Sequence, residues 1–466
     1  MTSWLPDLRE RRGPRYLAIA EALAVDVRAG RLPAGARLPT HRELAYGLGV
    51  TVGTVTRAYG EALRRGLIDA AVGRGTYVRE SKTPGPGGVM PEFAQRADSE
   101  PGLIALNIAA PPHADDNGLL AKALSDLACR DGVAALLDYQ PHGGAASHRA
   151  AGAAWIGRAG LTVSADQVIV TAGAQHAMTI AFAALTAPGD VVLTEALTYP
   201  GMKAVASFLH LRLQGVAMDE HGLIPEAFEV ACRTGRPKAL YALTTVQNPT
   251  GAVMPEERRH EIARIAGEHQ VAIVEDDIYG FLAEDAPPPL VRHAPRLGYY
   301  LTSVSKQIAP GLRIGFLAPP PSGHAACLAA MRATTWMAPP LTAEIAAGWI
   351  ADGTAERLGA SRRAESVARQ RLARDTLAGF DYRAHPAAYH GWLTLPEPWR
   401  AAEFVVQARA RGVLVTAVEA FAVSRPSPQA VRLCLSGARD RAELTQGLDI
   451  LVDVLRGPSD QHLSIV

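Results

Sequence analysis

Cysteine is scarce: Cys129, Cys232, Cys327 and Cys434 lie far apart, without the paired spacing of a zinc site or a disulfide framework. They are expected to be thiols of the core. No apolar run reaches the roughly 18 residues that a spanning helix requires, which argues against helical membrane insertion. The opening MTSWLPDLRERRG has arginines with no apolar stretch behind them, so no secretory leader is read there and a cytoplasmic protein is expected. Lysine is absent from residues 1–80, which hold 13 arginines against 8 acidic residues. The chain as a whole carries +1, so the first 80 residues hold a surplus of five positive charges and the rest are net negative. A basic excess of this size is a weak pointer to nucleic acid. What is present is ordinary globular composition, 48% hydrophobic and 20% charged, over 466 residues, enough for about three compact units.

The basic segment reads as three helices and a hairpin. Ile19, Leu23 and Val27 recur every four residues between Pro14 and Gly30, as on one face of a helix. Thr40 and Glu43 have the spacing of a capping box and open a second helix, which Gly47-Leu48-Gly49 ends. Thr51 can cap a third, with Val52, Val55, Tyr59 and Leu63 on its inner face and Thr51, Gly53, Thr54 and Arg57 facing out. Leu67–Ala71 and Thr76–Val78, joined by Val72-Gly73-Arg74-Gly75, make a small hairpin. That order is a winged helix-turn-helix, whose third helix enters the major groove of double-stranded DNA. Arg42, Arg57 and Arg74 then face phosphates or base edges, with Thr51 and Thr54 beside them. The strings LPTHRELA, LGVTVGTVTRAY and GRGTYV closely resemble the GntR family of DNA-binding domains.

Residues 80–102, ESKTPGPGGVMPEFAQRADSEPG, are rich in proline and glycine and show no helical or strand period. They read as a linker of about 25 Å flexible reach, or as a segment packed in part on the larger domain.

Beyond residue 103 strand-like runs alternate with helical stretches: Gln167–Thr171, Asp190–Thr194, Ala239–Thr245, Val271–Val274 and Tyr300–Thr302. This predicts an open, mostly parallel sheet with helices on both faces and ligands beyond the carboxyl ends of its strands. Chemistry gathers at those ends. Thr302–Phe316, TSVSKQIAPGLRIGF, brings Ser303, Ser305, Lys306 and Arg313 into one turn: a lysine able to form a Schiff base, beside hydroxyls and a guanidinium able to hold a phosphate. Pyridoxal phosphate needs both. Thr171-Ala172-Gly173-Ala174-Gln175 opens a helix whose N–H groups can receive a phosphate. Tyr199 can lie flat on a cofactor ring, Asn248 and Tyr279 can donate to its phenolic oxygen, and Asp276 can keep its pyridinium nitrogen protonated. Asn248, Asp276 and Lys306 stand 28 and 30 residues apart, one strand-helix-strand unit each. Trp392–Leu395 and Val431–Leu435 read as strands of a smaller C-terminal subdomain, and Arg432, in an apolar strand, requires either a structural carboxylate or a ligand's. His142, His385 and His390 lack metal-ligand spacing.

The segment around Lys306 looks like the cofactor-lysine motif S-x-S-K-x-x-A-P-G-L-R of fold-type I aminotransferases, and NPTG and DDIY stand in the order found in class I and II members. The resemblance implies Tyr199 as the ring-stacking aromatic, Ala174 and Gln175 as the phosphate loop, Ser303, Ser305 and Arg313 as further phosphate ligands, and Arg432 as binder of an amino acid's α-carboxylate. It also implies that Tyr139 reaches the phosphate of a neighbouring subunit, hence a homodimer. Ala174 departs from relatives that carry a hydroxyl there, so its backbone N–H would serve. A GntR-type reader joined to an aminotransferase-like domain is similar to the MocR family of transcriptional regulators. The expected organisation is a winged helix-turn-helix over 1–79, a linker over 80–102 and an α/β fold-type I transferase domain over 103–466, its large subdomain to about 320 and an α+β subdomain from about 321. The expected function is regulation of transcription, with pyridoxal phosphate or a small amine or amino-acid effector sensed through an aldimine at Lys306. The alternative is an aminotransferase with an accessory DNA-binding domain.

Overall fold

The computed structural model describes residues 4–6, 14–28, 32, 36–64, 67–71, 75–78, 102–112, 117–424 and 427–457. The chain divides into two compact units, Met1–Gly85 and Pro86–Val466. The proposed linker lies outside the described residues apart from Gly102.

In the first unit α1 (Arg15–Arg28) packs on α3 (Val52–Arg64), with α2 (His41–Leu48) between them in the chain. Thr40 accepts from the Glu43 N–H while Glu43 accepts from the Thr40 N–H, so the capping box forms. Gly49 ends α2 in the left-handed conformation, φ 63°, where a side chain would be strained. Thr51 Oγ1 accepts the Thr54 N–H at 3.2 Å and starts α3. The buried face of α3 differs from the expected one. Val55, Ala58, Tyr59 and Ala62 are its buried stripe, whereas Val52 and Leu63 are exposed. Alanines at 58 and 62 allow α1 to approach closely, which turns the stripe away from the two larger end residues. Strands β1 (Ile68–Ala71) and β2 (Gly75–Val78) pair antiparallel, Ile68 opposite Val78.

The second unit is built on a seven-stranded sheet: β3 (Ile169–Thr171), β4 (Val191–Glu195), β5 (Arg212–Val216), β6 (Ala239–Ala242), β7 (Ala272–Asp276), β8 (Gly298–Ser303) and β9 (Gly315–Ala318). Its order is β3-β9-β8-β7-β6-β4-β5, parallel except for β9, which runs antiparallel to both neighbours. Strands β6, β7 and β8 are buried at every residue, the mark of parallel strands covered on both faces. Its covering helices include α4 (Ala174–Leu185), which follows β3, α5 (Pro200–Phe208), which follows β4, and α6 (Glu256–His269), which precedes β7. Strand β6 stops at Ala242, short of the expected Thr245, because the Leu243 N–H leaves the ladder for Glu195 Oε1 at 2.9 Å. A four-stranded antiparallel sheet in the order β10-β11-β13-β12 forms the smaller part: β10 (Tyr382–Arg383), β11 (His390–Thr394), β12 (Thr416–Ala417) and β13 (Ala430–Cys434). Arg432 sits mid-strand, opposite Trp392 and Thr416.

Candidate active site and DNA-binding surface

The turn after β8 is stitched by its own hydroxyls. Ser303 Oγ accepts the Ser305 N–H at 2.9 Å and donates to Ser305 Oγ at 2.7 Å, and buried Val304 anchors the turn. Lys306 then points into a cavity and donates from Nζ to the Ala109 carbonyl at 2.5 Å, while its own carbonyl accepts from Tyr389. Burial, helped by the Arg432 and Arg313 charges, lowers its pKa to about 8.

Opposite Lys306, at the end of β7, Asp276 Oδ2 accepts from Tyr241 at 2.8 Å. Its Oδ1 is buried and has no hydrogen-bond partner among the described residues. Burial raises the Asp276 pKa to about 7 even though the Tyr241 hydroxyl pulls it down. An unsatisfied carboxylate oxygen beside this cavity fits a cationic ring N–H, which would complete its hydrogen bonds.

Asn248 Oδ1 accepts from Arg432 Nη1 at 2.8 Å, which leaves the amide's donors for a ligand. Arg432 Nη2 donates to the Asn107 carbonyl at 2.8 Å and its guanidinium lies 4.8 Å over Phe421. Of the two anions the sequence allowed, a structural carboxylate is absent among the described residues; the partners are neutral and Nε is unpaired.

At the phosphate end α4 begins without a side-chain cap, its Gly173 at φ 90°. A Cβ on Gly173 would lie 2.6 Å from Arg313 Nη2, so glycine alone lets that guanidinium approach the helix N-terminus. Gly201 serves Tyr199 in the same way, since a Cβ there would fall 2.1 Å from the tyrosine ring.

Ala174, Gln175, Tyr199, Asn248, Asp276, Tyr279, Ser305, Lys306, Arg313 and Arg432 thus line one cavity. Ser303 stands behind it, holding Ser305. Tyr139 is outside it, 84% exposed, edge-on to Trp336. Sequence reasoning did not find the Asn107–Ala109 wall, the Tyr241 hydroxyl or Glu195. Glu195 is buried at the end of β4, its pKa raised to about 8 by burial. A carboxylate closing an apolar strand was the available signal for Glu195; the wall contributes mainly backbone carbonyls and leaves none.

In the first unit Thr51, Arg42 and Arg57 are exposed and Thr54 is half-buried, with the Thr51 and Thr54 hydroxyls 2.9 Å apart. Arg74 lies outside the described residues.

A doubly covered parallel sheet with an amine, a carboxylate and an anion pocket at its strand ends, in a chain that also carries a helix-turn-helix, defines the class of protein. Residues 102–451 match the family described as aminotransferase class I and II, and residues 15–78 the bacterial regulatory proteins of the gntR family. The HTH-type transcriptional regulator YdeF of Bacillus subtilis (strain 168) is 31% identical over 96% of both chains. Among solved structures, LysN, an alpha-aminoadipate aminotransferase from Thermus thermophilus complexed with N-(5'-phosphopyridoxyl)-L-leucine, is 26% identical at a TM-score of 0.70, covering 78% of this chain and 95% of its own. An archaeal alanine:glyoxylate aminotransferase shares the fold, with a TM-score of 0.71 at 22% identity over 78% of this chain and 93% of its own. The chain belongs to the MocR-type HTH transcriptional regulators, in which a GntR domain precedes an aminotransferase class I and II domain.

Proposed function

We propose that this regulator holds pyridoxal phosphate in the Lys306 cavity and alters its DNA binding when an amino compound enters. The observation that carries the reading is Arg432, 4% exposed and without a carboxylate partner among the described residues, lining the same cavity as Lys306. A buried guanidinium held only by neutral groups favours an anionic ligand. When bound, the cofactor supplies an aldehyde for covalent capture of amines and a ring that withdraws electrons. Lys306 would offer the amine, Arg313, Ser305 and the α4 N-terminus would hold the phosphate, and Asp276 would keep a proton on the ring nitrogen. Asn248 and Tyr279 would donate to the ring oxygen. A carboxylate on the effector would be gripped by Arg432, so amino acids are favoured over simple amines. An effector shifts DNA binding only by its differential affinity for the two arrangements of the protein. The test is visible absorbance and DNA anisotropy across a panel of amino acids; a flat response in both would end this reading. The complete set of Lys306, Asp276 and Arg432 also favours residual transamination, to be assayed as amino-donor turnover.

Because the folded pKa of Lys306 is lowered to about 8, its neutral, nucleophilic form appears well below the usual 10.5. Covalent uptake of the aldehyde, followed by absorbance, should accelerate with pH up to about 8 and level off above it. Asp276 gives the opposite slope in stability. Its folded pKa, near 7, exceeds the ordinary 3.8, so ionisation costs the cofactor-free protein stability as pH rises between those values. Asp276→Asn should reduce the loss of stability between pH 5 and pH 7.5 in melts, leaving the part that buried Glu195 contributes with the same sign, and weaken cofactor binding about tenfold or more.

Recognition by α3 depends on which of its side chains are already engaged within the helix. The Thr51 and Thr54 hydroxyls engage each other, and that of Thr56 donates to the Val52 carbonyl at 3.0 Å. Val52 presents its methyl groups, 45% exposed, on the first turn, suited to a thymine methyl in the major groove. In a duplex selected in vitro, uracil in place of one thymine per half-site should weaken binding about fivefold for wild type and leave Val52→Ala unaffected.

A homodimer is part of the proposal. Leu137, Tyr139, Trp336 and Leu341, 46–89% exposed, are apolar side chains better suited to a partner subunit than to water. Sedimentation equilibrium checks it.

A further inference from the structure

Away from the cofactor cavity, two imidazoles and a carboxylate meet where α6 packs against the 3-10 turn Leu290–His293. Glu256 and His260 are four residues apart on α6, hence on one face, with Glu256 Oε1 3.9 Å from His260 Nε2. The rings of His260 and His293 lie 3.7 Å apart between centroids, tilted by 36°. One ligand atom from each of the three residues falls within 4.8 Å of the others. His293 Nε2 is buried and has no hydrogen-bond partner among the described residues.

We propose that Glu256, His260 and His293 form a site for a zinc-class divalent cation, completed by water. Imidazole and carboxylate donors suit that class, and three protein ligands leave a position open to solvent. Glu256 and His260 are exposed, which leaves their side chains room to turn toward His293. Such an ion would pin α6 to the turn. The turn is in turn fastened to the sheet, because the Leu290 and Val291 N–H groups donate to Glu275 at 3.0 and 2.9 Å, while Arg259 of α6 donates to the Pro288 carbonyl just before the turn at 3.0 Å. Glu275 precedes Asp276, so the cation would steady the strand end that carries the cavity's carboxylate.

The test is calorimetric titration of the metal-stripped, full-length protein with Zn²⁺, repeated with Co²⁺ while recording visible spectra. One site per chain is expected, with the cobalt bands of low coordination. His260→Ala and His293→Ala should each weaken binding about 100-fold and abolish the bands. The exposed His260 variant should keep the wild-type metal-free melting temperature, which separates ligand loss from misfolding. Absence of binding by wild type, or equal binding by the His260→Ala and His293→Ala proteins, would overturn the site.

Discussion

Lys306→Ala is expected to abolish covalent retention of the cofactor: protein incubated with pyridoxal phosphate and dialysed should show no visible absorbance, and its DNA affinity should no longer respond to cofactor or amines. Lys306 is the lysine lining the cavity, and burial has already lowered its pKa to about 8. Arg313, Ser305 and the start of α4 remain in the variant, so weak, reversible binding should persist, roughly 100-fold or more below wild type. Lys306→Arg is the control. It keeps the positive charge without an amine able to capture an aldehyde and should behave like the alanine variant. Retained absorbance in either protein would mean that another group captures the cofactor.

The second large effect is expected at Arg432. Arg432→Met should weaken the response to amino acids at least ~30-fold, as truncating one partner of a buried charge pair does. The same amines without a carboxylate should act on variant and wild type alike, since Arg432 has nothing to grip in them. Loss of the partners at Asn248 and Asn107 will also perturb the cavity. The contrast between the two ligand sets therefore carries more weight than either affinity alone. Equal losses for both would reassign Arg432 to a structural role.

Much of this was legible because the informative residues fall in recognisable local patterns. The capping box of α2 depends only on Thr40 and Glu43, three residues apart, and forms as read. Asn248, Asp276 and Lys306 each come after an apolar run, and a parallel sheet brings such strand ends together without further information from the chain. The cavity's other wall was hidden for the converse reason. Asn107 meets Arg432 across 325 residues through a backbone carbonyl, which no side-chain pattern announces. The inner face of α3 was read one step out of place at its ends, because periodicity ranks Val52 and Leu63 above the alanines that α1 in fact packs against. His293 joins Glu256 and His260 only through the tertiary contact of its turn with α6.

The first unit is proposed to read DNA under the control of a ligand held by the second. The most direct test is fluorescence anisotropy of DNA from upstream of the protein's own gene, titrated with full-length protein at two salt concentrations, with and without pyridoxal phosphate, and then with an amino-acid panel. Sequence-selective binding that changes with cofactor and with at least one amino acid, and ceases to change in Lys306→Ala, is the predicted result. Weak binding that falls steeply with salt, is equal for unrelated DNA and is indifferent to both ligands would contradict it.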